Sequence, residues 1–191
     1  MPAIAKVTKE MIIEAAFEIA KEMGAENINA RTVSQKLGCS TQPVLYHFKT
    51  IEDVRIAAHI KASEFHIDYV TSLSGKYERP MLEVGMRHIQ FAVEEKNLFR
   101  FLFHSSYYTG VSLSDWLTGE NFGSLFPILK KQANVDQRQA YSIFSQIFLV
   151  THGIASLLAN NAMVYDEAYC INTLSNAYFG TMHLIAEGDL S

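Results

Sequence analysis

The stretch Ala30 to Asp53, ARTVSQKLGCSTQPVLYHFKTIED, constrains the fold more than any other part of the chain. Its apolar residues recur every three or four positions, the period of a helix facing a core. Val33 and Leu37 stand four apart with Ala30 beside them, which predicts a short helix from about Ala30 to Leu37. Asn29 precedes it as N-cap, because a short polar side chain accepts a hydrogen bond from a free backbone N–H. Gly38 follows as the left-handed stop. Ser40 is then expected to cap a second helix beginning Thr41, Gln42, Pro43. Proline is tolerated there because first-turn N–H groups have no intrahelical partner. Val44 and Phe48, again four apart, face the core and leave Thr41, Gln42, Tyr46, His47 and Lys49 on or near the outer side.

A short helix, a turn with glycine and a second helix with a polar, partly basic face make the layout of a helix-turn-helix, here over about residues 29–48. In that layout the second helix lies in the major groove with its N-terminal residues at base edges. The bland alternative, a helical corner inside a core, does not account for the polar outer face.

Gly38-Cys39-Ser40, Val44, Tyr46-His47-Phe48-Lys49 and Glu52-Asp53-Val54 together resemble the DNA-binding domain of the TetR family of transcriptional regulators. The resemblance covers roughly Thr8 to Lys61. Two positions depart from it: Leu45 stands where the family usually has Tyr, and Ile51 where it often has a phosphate-touching Lys. The resemblance implies that the N-terminus of the first helix lies near the DNA backbone, with Lys6, Thr8 and Lys9 as candidates. It also implies a second domain that senses a small molecule, and it agrees with a dimer.

The expected DNA contacts are Arg31, Thr41, Gln42, Pro43, Tyr46, His47 and Lys49. Gln42 and Thr41 can hydrogen-bond base edges, and a Gln amide can pair bidentately with adenine. Tyr46, His47 and Lys49 suit phosphate or sugar; His47 suits a packing role as well. Arg31 can meet a base edge or neighbour the backbone.

The overall charge of −4 does not look like that of a nucleic-acid binder. The halves differ: residues 1–61 are net +1 and residues 62–191 net −5, while residues 28–61 alone carry five Lys/Arg against two acids, net +3. A local basic face is what phosphate contact needs.

Along the rest of the chain, Thr8 is expected to cap a helix that ends at Met23 before Gly24, with Ile12, Ala16, Ile19 and Met23 as its apolar stripe. Ile28 is an apolar anchor. Thr50 and Asp53 form a capping-box pattern that opens a helix from about Ile51 to Val70, whose N-terminus can also hold a phosphate. Further helices are expected over about Arg79–Lys96, Asn97–Tyr107 and Asn121–Lys131, the last with Pro127 as a kink. Residues 109–120 read as loop plugged by Trp116. The two longest helices, Asp136 to about Ala159 and about Asp166 to Glu187, are apolar on more than one face. Gly153, Ala155, Ser156, Ala159, Ala177 and Gly180 along them favour close approach. They are expected to form a two-fold four-helix interface between two copies.

Phe99, Phe103, His104, Tyr107, Trp116, Phe144, Phe148, His152 and Tyr178 are the candidate lining of an effector pocket, since ligand sites are mostly apolar with a few placed polar groups. An aromatic stripe at helical spacing is also ordinary core. No Gly-rich phosphate loop, nucleophile elbow or His-Glu-x-x-His run is present, so neither an enzyme, a metal site nor a cofactor is expected. His59 and His66 share a helix face with no third ligand in register. Cys39 and Cys170 lack metal or disulfide-framework spacing, which fits a reducing, cytoplasmic compartment. The opening MPAIAKVTKE lacks the apolar core of a signal peptide, and no uninterrupted apolar run predicts a membrane span.

The expected architecture is therefore all-α, about nine helices. A three-helix helix-turn-helix DNA-binding domain occupies residues 1–55. A helical effector-binding and dimerisation domain occupies residues 56–191. The expected function is a TetR-like regulator acting as a homodimer on a pseudo-palindromic DNA operator, a repressor released by a small-molecule effector. The alternative is a helical small-molecule-binding protein or enzyme whose helix-turn-helix is a remnant, supported by Leu45 and Ile51.

Overall fold

The Thr8 hydroxyl accepts the Met11 amide proton and opens the first of a series of helices that carry nearly all the regular structure. The computed structural model describes residues 7–104, 110–118, 122–123, 125–161 and 163–188. Among these are ten α-helices, one more than expected, and a 3-10 turn at Ala25–Asn27, with no strand. They are α1 Lys9–Met23, α2 Ala30–Lys36, α3 Gln42–His47, α4 Ile51–Thr71, α5 Pro80–Glu94, α6 Lys96–Phe103, α7 Leu113–Thr118, α8 Phe126–Ala133, α9 Gln137–Asn160 and α10 Glu167–Glu187. The protein is all-α.

The chain splits into two compact units. The first is Met1–Ile67 with Glu95–Ser105; the second is Asp68–Glu94 with Ser106–Ser191. The helix α4 begins in the first and ends in the second.

In the first unit α1 packs on α2, α3 and α6. Ile12, Ala16 and Ile19 are buried as their spacing predicts, together with Ala15, Phe17 and Ala20. Met23 is a correction: it is 54% exposed, because it falls in the last turn, beyond the facing helices. Gly24 ends α1 at φ 94, a left-handed value. The core is completed by Ile28, Val33, Val44, Phe48, Val54, Ala58 and Ala62, and by Leu98, Phe99 and Leu102 of α6. Two ties hold α6 to α1: Asn97 Nδ2 donates to the Lys21 carbonyl at 3.0 Å, and Lys21 pairs with Glu95 at 2.9 Å.

In the second unit α9 is central, against α5, α8, α10 and α7. Asp136 caps it in a reciprocal capping box with Gln139. Phe122, Phe126, Phe144 and Phe148 stack into an aromatic core with ring centroids 4.9–5.1 Å apart for Phe122–Phe148, Phe122–Phe144 and Phe126–Phe144. Gly85 permits α5 to approach α10, since a Cβ there would come within 2.7 Å of Leu174 Cδ2. Glu83, only 2% exposed, ties the α4–α5 loop down: it accepts from Ser74 N–H at 2.6 Å, Ser74 O–H at 2.7 Å and Gly75 N–H at 3.0 Å. Burial pushes its carboxyl up, but the Ser74 and Gly75 donors outweigh that and hold it below its ordinary value.

Two local expectations are corrected. Residues 113–118 form α7 rather than loop, and Ser112 Oγ accepts the Asp115 amide proton at 3.1 Å in its first turn. Pro127 does not kink a helix; α8 starts at Phe126 with Pro127 in its first turn. Among the described residues one helix, α9, is long and apolar enough to cross a membrane by length and composition alone, a test that a core helix also meets; 44% of its apolar window is buried.

Candidate nucleic-acid interface

Asn29 sets the start of α2. Its side chain accepts from the Arg31 and Thr32 amides at 3.1 and 3.0 Å, and Thr32 Oγ1 accepts from the Asn29 amide at 3.1 Å. Thr32 here takes the place of the Glu or Gln usual in a capping box. Gly38 takes φ +65, which residues with a side chain rarely adopt, and turns the chain toward α3. The residue at the cap of α3 is Thr41, not Ser40, and its side chain makes no cap hydrogen bond. Thr41 has helical φ and ψ, so the chain is already helical one residue after Ser40.

Val44 and Phe48 are buried, as their spacing predicts, and fix α3 on the unit's core. Thr41, Gln42 and Lys49 are exposed, and Tyr46 is 82% exposed. Pro43 is half-buried. Leu45 is exposed too, at 59%, so the outer face of α3 is amphipathic rather than purely polar. His47 is half-buried, and its Nε2 donates to the Val7 carbonyl at 3.0 Å, which ties α3 to the residue before Thr8.

The local excess of cations is smaller than the sequence count. Lys36 pairs with Glu22 at 2.9 Å and Lys61 with Glu14 at 2.8 Å. Arg55 donates from Nε and Nη2 to the Ile28 carbonyl at 3.2 and 3.0 Å and meets Glu52 at 3.4 Å. Arg31, Lys49 and Lys9 have no carboxylate partner among the described residues. Lys9 and Lys49 rim an open groove of about 350 Å³ with His47 and Asp53, over a floor of Phe48, Ile56, Ala57 and Ile60. Thr50 and Asp53 close the reciprocal cap of α4: Thr50 N–H donates to Asp53 Oδ2 at 2.9 Å and Asp53 N–H to Thr50 Oγ1 at 3.1 Å. The groove's apolar floor is the part that sequence spacing does not reveal, since Ile56 and Ile60 repeat at the interval of ordinary core residues. Of the N-terminal candidates, Thr8 and Lys9 are exposed at the start of α1, and Lys6 lies outside the described residues.

The nine aromatic and histidine residues singled out for a pocket do not share one unit. Phe99, Phe103 and His104 belong to the first, where Phe99 packs on Phe103 and His104 at 4.9 and 5.7 Å between centroids. Trp116, Phe144, Phe148, His152 and Tyr178 belong to the second. There Phe144 and Phe148 are buried in the aromatic core. Trp116 stands edge-on to Phe148 at 5.5 Å. His152 stacks on Phe148 at 5.3 Å and approaches His88, Nδ1 to Nε2 3.4 Å. Tyr107 lies outside the described residues. Of the nine, Tyr178 lines a cleft in the second unit, formed with Arg79, Leu82, Gln132 and Leu174 among others. Arg79 and Gln132 were not anticipated, because neither stands in a motif.

No protein-family model matches the chain, and no curated protein matches it.

Proposed function

We propose that the chain is a homodimeric DNA-binding transcriptional regulator resembling the TetR family, a repressor that a small-molecule effector releases from its operator. One observation carries the reading: Val44 and Phe48 anchor α3 from beneath while Thr41, Gln42 and Tyr46 are left in solvent. A six-residue helix held in this way gains nothing for the core from its polar outer residues, and their donors and acceptors match base edges. In this reading α2 and α3 are the two helices of a helix-turn-helix, and Arg31, Lys49 and Lys9 are the cations left for phosphate. His47 acts as a positioning residue through its bond to Val7.

The dimer reading is supported by apolar residues that the chain leaves uncovered. Leu149 and Leu157 of α9 and Phe179 and Leu184 of α10 are exposed. A Cβ at Gly153 or Gly180 would meet nothing within 4 Å, so these glycines are not needed for packing inside the chain. Two copies joined through α9 and α10 would present their α3 helices to half-sites about one DNA turn, ~34–36 Å, or a multiple apart. An effector would shift the population between spacings that fit the operator and spacings that do not.

A gel shift with the DNA upstream of the chain's own gene, run at several salt concentrations, tests the reading. Salt-dependent binding that disappears in Gln42→Ala with Lys49→Ala is the expected result. No salt-dependent binding to any DNA would favour a helical small-molecule-binding protein or enzyme with a remnant fold, the reading that exposed Leu45 supports. Operator affinity that no bound effector changes would remove the ligand response.

A further inference from the structure

We propose that the cleft at the start of α5 binds the carboxylate of a small organic acid. The inference concerns the second unit alone and does not depend on DNA binding. The cleft brings together the N-terminal turn of α5, the end of α8, and one face each of α9 and α10. Its walls are apolar, from Leu82, Ile147 and Leu174, and its polar groups are Arg79, Gln132, Ser175 and Tyr178, none of them acidic.

The orientation of Gln132 is decided by its neighbour. The Met81 amide donates at 2.9 Å, and only the oxygen end of the Gln132 amide can accept. The Nε2 end is thereby fixed, and it is buried with no hydrogen-bond acceptor among the described residues. Burying an amide N–H without an acceptor is unfavourable, so this end is a donor awaiting one. Arg79 adds charge. Its guanidinium lies over the rings of Phe179 and Tyr178, 4.5 and 5.6 Å from their centroids, and no carboxylate pairs with it among the described residues. Aromatic faces hold the guanidinium plane but leave its N–H edge available.

Size and charge choose the occupant. The cleft leaves about 20 Å³ for the centre of a water-sized group, within about 290 Å³ of unfilled space that includes open solvent. A water needs roughly 10–15 Å³, so there is room for a small group. Water would satisfy Gln132 but leave the guanidinium without a counter-ion. A phosphate, with polar oxygens on every side, would set some of them against the apolar walls. A carboxylate accepts from the amide and the guanidinium together, and a short alkyl chain lies against Leu82, Ile147 and Leu174.

The test uses the full chain and sodium propionate, with sodium chloride at matched ionic strength and propionamide as controls. The Gln132 side-chain amide is followed by NMR and the affinity measured by calorimetry. The expected result is a saturable shift with propionate and none with propionamide or chloride. Arg79→Met and Gln132→Glu should each weaken binding by about tenfold or more. Gln132→Glu retains an acceptor for the Met81 amide while removing the donor, so the α5–α8 contact survives in that variant. No saturable response to propionate, an equal response to chloride or to propionamide, or unchanged affinity in both variants would overturn the assignment. The wild-type titration decides by itself if a variant fails to fold.

Discussion

The ammonium group of Lys9 stands over the ring of Phe48, 5.3 Å from its centroid. A residue at the start of α1 and the core anchor of α3 are thus in contact, and Lys9 and Lys49 both line one groove. If both meet phosphate, Lys9→Gln and Lys49→Gln should each weaken binding to all DNA sequences alike. Each should also lower the slope of log affinity against log salt by about one. A salt titration by fluorescence anisotropy measures both effects. A loss confined to one sequence would place the lysine on a base instead.

Gln42 is expected to behave differently. Gln42→Ala should cost about 1–3 kcal/mol on the preferred operator and relax the preference at one base pair, leaving the salt slope unchanged. Competition binding with operators substituted one position at a time provides the measurement.

Glu83 is buried under three donors from Ser74 and Gly75. Glu83→Gln removes the charge and turns an amide N–H₂ toward those donors, so it should cost about 2 kcal/mol of stability. Because the carboxyl is held below its ordinary value, its contribution is complete at neutral pH and is lost as pH falls through that lower value. Urea denaturation of wild type and variant at two pH values checks both statements.

His59 gives a second acid-sensitive term. Burial holds its imidazole below the ordinary value of 6.5, partly offset by its hydrogen bond to the Leu102 backbone, and its ring stands edge-on to Phe101 at 5.2 Å. Unfolding lets the ring take up a proton more readily, so its contribution is present above pH 6.5 and declines as pH falls toward the lower folded value. His59→Phe should flatten that part of the stability profile, as measured by the pH dependence of the melting temperature. A profile as steep in the variant as in the wild type would assign the acid sensitivity to other groups.

Leu157 is 52% exposed on α9. A Leu157→Glu substitution leaves the buried core untouched. If α9 and α10 pair two copies, it should convert the dimer to a monomer in sedimentation and weaken DNA binding with it, since a charge placed in an apolar interface is unfavourable without a partner.

The helix boundaries were legible where a local pattern carries them. Asn29, Thr50 with Asp53 and Asp136 with Gln139 all cap as their spacing indicates. Failures came where a neighbour distant in sequence decides. Ile19 and Met23 share one stripe by period, yet only Ile19 is covered. The stretch LSDWLT lacks an obvious helical face of its own and is a helix packed on α9. Charge counting treated Lys36, Arg55 and Lys61 as available for phosphate, whereas Glu22, the Ile28 carbonyl with Glu52, and Glu14 engage them. The outer residues of α3 were readable because they lie within one helix. The Arg79–Gln132 cleft was not, because it is assembled from four helices.

The packing of α6 against α1 bears on how the molecule can be engineered. Leu98, Phe99 and Leu102 are supplied to the first unit from beyond residue 94, after the chain has already built part of the second. An N-terminal fragment cut at residue 67, expressed alone or fused to a foreign partner, would leave the side of α1 that faces α6 bare to solvent. Grafting this head onto another protein therefore requires carrying residues 95–105 along as a separate insert, and a simple cut-and-paste of the leading segment yields a sticky, half-clad bundle.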